Sequence, residues 1–132
     1  MYIDCVVIKG EPYKSFSCSI QVTENNGATF TNFDLNNYSV LFQILGAPTA
    51  DAKVLVEHLI TQNTDLTVDG QINNPDNGEF TFTITKEDTD LIGLGNHPIR
   101  LVLLNAEDLQ PEFTLTEGGQ KGEFSKVQVV QV

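Results

Sequence analysis

Apolar and polar positions alternate along this chain in short runs separated by turn residues. The clearest run follows Asn77-Gly78-Glu79, where Phe80, Phe82 and Ile84 share one phase and Thr81, Thr83 and Thr85 the other. A period of two is the signature of a strand with one buried face. The polar stretch Lys86-Glu87-Asp88-Thr89-Asp90 comes next, closed by Leu91-Ile92-Gly93, and then the apolar run Ile99-Arg100-Leu101-Val102-Leu103-Leu104. The pattern predicts strand, one helical turn, strand. Thr85 is placed to cap the turn, with Asp88 three residues on as its reciprocal partner.

The other segments supply partners for these two strands. Residues 2–9 are β-branched and apolar, and Gly10-Glu11-Pro12 ends them. Residues 15–22 alternate, with Phe16, Cys18, Ile20 and Val22 inward and Ser15, Ser17, Ser19 and Gln21 outward. Asn26-Gly27 marks a hairpin turn into a strand over residues 29–33. Residues 38–45 carry apolar side chains on both phases, which predicts a central strand. Residues 53–61 fit a strand, and a helix is possible over residues 50–60; the two valines and the neighbouring strands favour the strand. Residues 63–77 are polar, with a brief strand expected at Leu66-Thr67-Val68. Short strands follow at residues 113–115 and 124–132. The spacing predicts an all-β fold, an Ig-like antiparallel β-sandwich of eight or nine strands with at most one short helical turn. No repeat or linker divides the chain, so residues 1–132 are expected to form a single domain.

Composition narrows the function. The 132 residues carry 18 acids against 7 Lys and Arg, a formal net charge of −11. Such a surface repels phosphate, which argues against nucleic acid and anionic membranes as partners. The N-terminus lacks a basic region leading into a long apolar block, so no signal peptide is expected and synthesis in a cytoplasm is. Cys5 and Cys18 are too few for a disulfide framework. A bridge between adjacent strands is conceivable, but small buried thiols are the simpler expectation.

Candidate chemistry is thin. His58 alternates with Val56 and Ile60, which fits a packed or edge histidine better than a ligand. His97 lies in Gly95-Asn96-His97-Pro98 with no nucleophile or carboxylate at a recognisable spacing. Asp65, Asp69, Asn73, Asn74, Asp76 and Asn77 could offer oxygens to calcium, but they match only a fragment of a calcium loop. No catalytic residue, cofactor or metal is therefore expected. Surface aromatics can mark sugar platforms; Tyr2, Tyr13 and Tyr38 are the candidates.

The order of these signals resembles a family of small sandwich modules on tailed-phage particles. The nearest type is the N-terminal domain of the phage baseplate upper protein family, together with Ig-like head and tail decoration proteins. The resemblance is carried by Gly10-Glu11, the serine-rich run over residues 15–22, Asn26-Gly27, and Phe33-Asp34-Leu35 before Tyr38-Ser39-Val40-Leu41-Phe42-Gln43-Ile44. In the second half it rests on Asp76-Asn77-Gly78, the Phe/Thr alternation, Asp88-Thr89-Asp90-Leu91 and the last two apolar runs. Members commonly carry Gly-x-Tyr at the position of Gly95-Asn96-His97, and here histidine stands in place of tyrosine.

The resemblance implies a non-enzymatic virion structural protein, made in the host cytoplasm and located on the virion. It would be a head decoration or cement subunit, or a tail or baseplate accessory. Its partners would be other phage structural proteins and further copies of itself, as a homo-oligomer. Contact would run through exposed strand edges, with Tyr2, Ile3, Val6 and Ile8 in the first strand and Val127, Val129, Val130 and Val132 in the last as candidate interface residues. The alternative is a carbohydrate- or host-surface-binding module, which needs exposed aromatics grouped on one face.

Overall fold

A computed structural model describes residues 3–24, 29–49, 51–114 and 125–131. The described residues form eleven strands, a seven-residue helix and one 3-10 turn. The first six strands are β1 (Asp4–Ile8), β2 (Tyr13–Ser19), β3 (Gln21–Glu24), β4 (Thr29–Asn32), β5 (Tyr38–Leu45) and β6 (Val54–Ile60). After them come β7 (Gly70–Asn74), the 3-10 turn Pro75–Asn77, β8 (Glu79–Thr85), α1 (Lys86–Ile92), β9 (Gly95–Asn105), β10 (Pro111–Thr114) and β11 (Lys126–Val130).

The strands make the expected β-sandwich. The larger sheet runs β1-β11-β9-β5-β6, with β10 also on β9; the smaller runs β2-β8-β7; β3 and β4 form a separate hairpin. All pairs are antiparallel except β1 with β11, which is parallel. The predicted Asn26-Gly27 turn of the β3–β4 hairpin lies outside the described residues.

Phe80, Phe82 and Ile84 point inward and are fully buried. Across from them lie Val40, Phe42 and Ile44 of β5 and Ile99, Leu101 and Leu103 of β9, in the same cluster. Phe42 and Phe82 stack between the sheets with ring centroids 4.7 Å apart, and Phe16 stacks on Phe82 at 5.4 Å. Each buried aromatic removes a large apolar area from water, about 2–3 kcal/mol apiece. The expected strand over residues 53–61 is β6, and β5 lies between β6 and β9 as a central strand.

The helix forms where its capping residues allow it. The Thr85 hydroxyl accepts from the Asp88 amide at 3.3 Å, and the Asp88 carboxylate accepts from the Thr85 amide at 2.9 Å. The turn before β8 closes on Gly78, at φ +70°, where a methyl group would lie 2.5 Å from the Phe33 carbonyl oxygen.

One expectation is corrected here. Leu66-Thr67-Val68 is a turn, and the strand begins only at Gly70. The Asp65 side chain accepts from the Thr67 amide and hydroxyl, and its carbonyl accepts from the amides of Val68, Asp69 and Gly70. Those local bonds replace the ladder a strand would need. The Thr face of β8 is buried as well: Thr83 is fully buried, its hydroxyl bonded to Ser15 and to the Leu66 carbonyl as the turn folds over it.

Candidate interaction surface and the polar clusters

The residues proposed for the interface separate in the structure. Tyr2 and Val132 lie outside the described residues. β11 is paired on both flanks, with β1 and with β9, so the expectation that it forms an edge is overturned. Val127 and Val129 are buried at 0% and 2% exposure and belong to the core, while Val130 is only half-buried. A run apolar on both phases marks a strand with packing on both faces; it does not say whether the flanks are free.

The edge role passes to β1, whose pairing partner among the described residues is β11. Ile3, Cys5 and Val7 face the core, Val6 is 45% exposed, and Ile8 is half-buried. The seam to β11 is firmly made: the Ile3 amide donates to the Ser125 hydroxyl at 2.9 Å, and the Lys9 amide to the Val130 carbonyl at 2.8 Å. The Lys14 ammonium donates to the Val6 carbonyl at 3.1 Å, so a cation already guards one acceptor of this edge.

Cys5 and Cys18 are free thiols. Burial pushes both up to about 12, so they stay protonated at neutral pH and behave as small apolar groups.

His58 is a structural clamp. Its Nδ1 lies 2.8 Å from Asp69 Oδ1, and its Nε2 lies 3.0 and 2.9 Å from the two Asp88 oxygens. A neutral imidazole has one N–H and would turn a lone pair toward one of the carboxylates; the imidazolium satisfies both. Burial opposes that charge, but the bonds and charges of Asp88 and Asp69 outweigh it and raise the pKa of His58. The side chains of His58 and Asp88 are 15% and 5% exposed. The clamp ties β6 to α1 and to the turn before β7. The inward phase of His58 was legible in the sequence, while its partners come from two other elements.

The remaining polar groups have similar structural duties. His97 Nε2 donates to the Gly93 carbonyl at 2.9 Å, at the end of α1. On three adjacent strands of the larger sheet, Arg100 Nε donates to Gln43 Oε1 and Gln43 Nε2 donates to Glu57 Oε2, each at 2.8 Å. The candidate calcium oxygens are dispersed: Asp65 holds its own turn, Asp69 bonds His58, and Asp76 accepts from Asn36. Among the described residues no three His, Cys, Asp or Glu side chains gather as a metal site.

One grouping was not anticipated. Phe33, Tyr38 and Phe113, from three separate segments, pack with ring centroids 5.3 to 6.2 Å apart. Phe33 and Tyr38 are half-buried against the core, while Phe113 is 48% exposed. Partial burial and the nearby Glu112 and Asp34 carboxylates push the Tyr38 phenol above the ordinary value. Tyr13, the other described tyrosine, is 50% exposed at the start of β2.

No protein-family model matches this sequence, and no curated protein matches it.

Proposed function

We propose that this chain is a non-enzymatic structural subunit of a tailed-phage particle. It would be a head decoration or a tail or baseplate accessory, located on the virion, holding other particle proteins and further copies of itself through protein–protein contacts. The observation that carries this reading is the open β1 edge. It is a strand with one described partner and a half-exposed Val6, on a sandwich whose histidines are consumed in structural bonds. A partner surface gains apolar contact with Val6 and a strand flank that carries no strand among the described residues. The resemblance of the turn and alternation signals in the sequence to small phage-particle modules is the other support for this reading.

The test is mass spectrometry of purified particles of the encoding phage, for wild type and for Val6→Lys. Wild type should be a stoichiometric component, and the charged edge should lower its occupancy while the free protein stays folded. Absence of the wild-type protein from particles overturns the assignment. Truncating β11 is not a usable test, because its valines are core.

A carbohydrate-binding reading has one observation in its favour, the Phe33–Tyr38–Phe113 group. Its rings lean on each other at 49° to 80° instead of sharing a plane. Sugar platforms need flat open faces, so protein contact remains the better reading.

A further inference from the structure

We propose that β10 and its aromatic group dock an extended segment of a partner protein that carries an arginine. This goes beyond the β1 edge to a second face, and it rests on the reading of the chain as a subunit acting through protein contacts. All four residues of β10, Pro111–Thr114, are exposed, and the strand pairs only with β9 among the described residues. Its other flank carries no strand among the described residues, and on that flank an incoming backbone would supply affinity and its side chains selectivity.

Phe113 selects the side chain. It stands half-exposed on a floor made by Phe33 and Tyr38, whose contacts with the core hold it in place. A rigid aromatic with a supported base is the usual centre of an interface. Beside it stands Glu112. A neutral donor, the Asn105 amide, reaches its carboxylate at the long distance of 3.4 Å. Asp34 adds a second carboxylate to the field at Tyr38. A planar cation can stack on Phe113 and bring a positive charge to Glu112 at once; an acidic segment is repelled, and a neutral sugar brings hydroxyl bonds but no charge. Arginine is preferred over lysine because a guanidinium presents a flat face and a two-pronged donor edge. The net charge of −11 brings basic partners toward the chain from a distance.

The experiment titrates the full isotope-labelled chain with three synthetic peptides, alternating threonine with arginine, with lysine or with glutamate, and follows backbone amide shifts. The arginine peptide should move Glu112, Phe113 and Thr114 first. Phe113→Ser and Glu112→Gln should each weaken it about tenfold, the effect expected of a central contact. Both positions are exposed, and circular dichroism verifies that the variants fold. The lysine peptide should bind more weakly and the glutamate peptide not at all. Shifts scattered over the acidic surface and indifferent to both substitutions would overturn the proposal. So would a glycan-array signal that Phe113→Ser abolishes. Particle incorporation separates this from the wider reading: wild type absent from particles defeats the subunit assignment, whereas wild type present with no localised peptide binding defeats only the β10 surface.

Discussion

Replacing His58 with glutamine should destabilise the domain by an amount that depends on pH. The substitution leaves Asp88, whose side chain is 5% exposed, without its cationic partner. Removing one member of a buried ion pair typically costs about 3–5 kcal/mol. Two features lower that figure here: the Asp88 carboxylate keeps its bond from the Thr85 amide, and Asp69 is 32% exposed. A loss of about 2–3 kcal/mol near pH 6 is therefore expected. The pH dependence follows from the raised pKa of folded His58. Below the ordinary histidine value of about 6.5, both folded and unfolded chains hold the proton and the clamp contributes fully. As pH rises, the unfolded chain releases its proton first, and the contribution is lost as pH passes the folded value. The gap between wild type and His58→Gln should shrink as pH rises past the ordinary histidine value of about 6.5 and through the raised folded value, by at most ~1.4 kcal/mol per pH unit. The buried thiols interfere only at higher pH, where those of the unfolded chain ionise while Cys5 and Cys18 stay protonated up to about 12. Urea denaturation followed by far-ultraviolet circular dichroism reads the gap directly. A gap that is absent, or constant across this window, would refute the charged clamp. Asp69→Asn, at the more exposed end, should show the same sign at smaller size.

Gly70→Ala should cost more than about 3 kcal/mol, because φ is +111° and the new methyl would meet the Thr81 carbonyl oxygen at 2.0 Å; a denaturation midpoint near wild type would contradict the close packing of β7 on β8. Thr85→Ala removes one half of the reciprocal cap and should cost about 1 kcal/mol, with faster amide exchange confined to the first turn of α1. Gln43→Ala breaks the link between Arg100 and Glu57 and should cost about 1–2 kcal/mol, with additivity in a double-mutant cycle against Glu57→Gln counting against a real link.

What was legible in the sequence was which way side chains face. The alternation at Phe80, Phe82 and Ile84 names the buried side of β8, and the Thr85–Asp88 spacing names the start of α1. Both signals are local, and both are present. Which strands lie side by side was not legible. The run over residues 127–132, apolar on both phases, suits an edge or interface strand; the structure sets its described part, β11, between β1 and β9. At Leu66-Thr67-Val68 two apolar residues imitated a strand, but Asp65 closed the backbone into a turn. The site residues were lost for the same reason. Asp88 lies 30 positions from His58, and Phe33, Tyr38 and Phe113 meet only after three segments converge. Pairwise spacing along a chain carries no trace of such meetings.

The parallel seam between β1 and β11 sets the order in which the molecule can be assembled. Ile3 and Ser125, bonded across it, are 122 positions apart. β1 leaves the ribosome well before β11 and meets its described neighbour only after the 122 positions from Ile3 to Ser125 have been made. Until then the slot beside β9 stands vacant and β1 waits without that neighbour. Closure of so large a loop puts the domain among slow folders, on the scale of about milliseconds to seconds. During that interval a neighbouring nascent chain can donate its own last strand to the vacancy, so crowding on one messenger would favour exchanged pairs over closed single subunits.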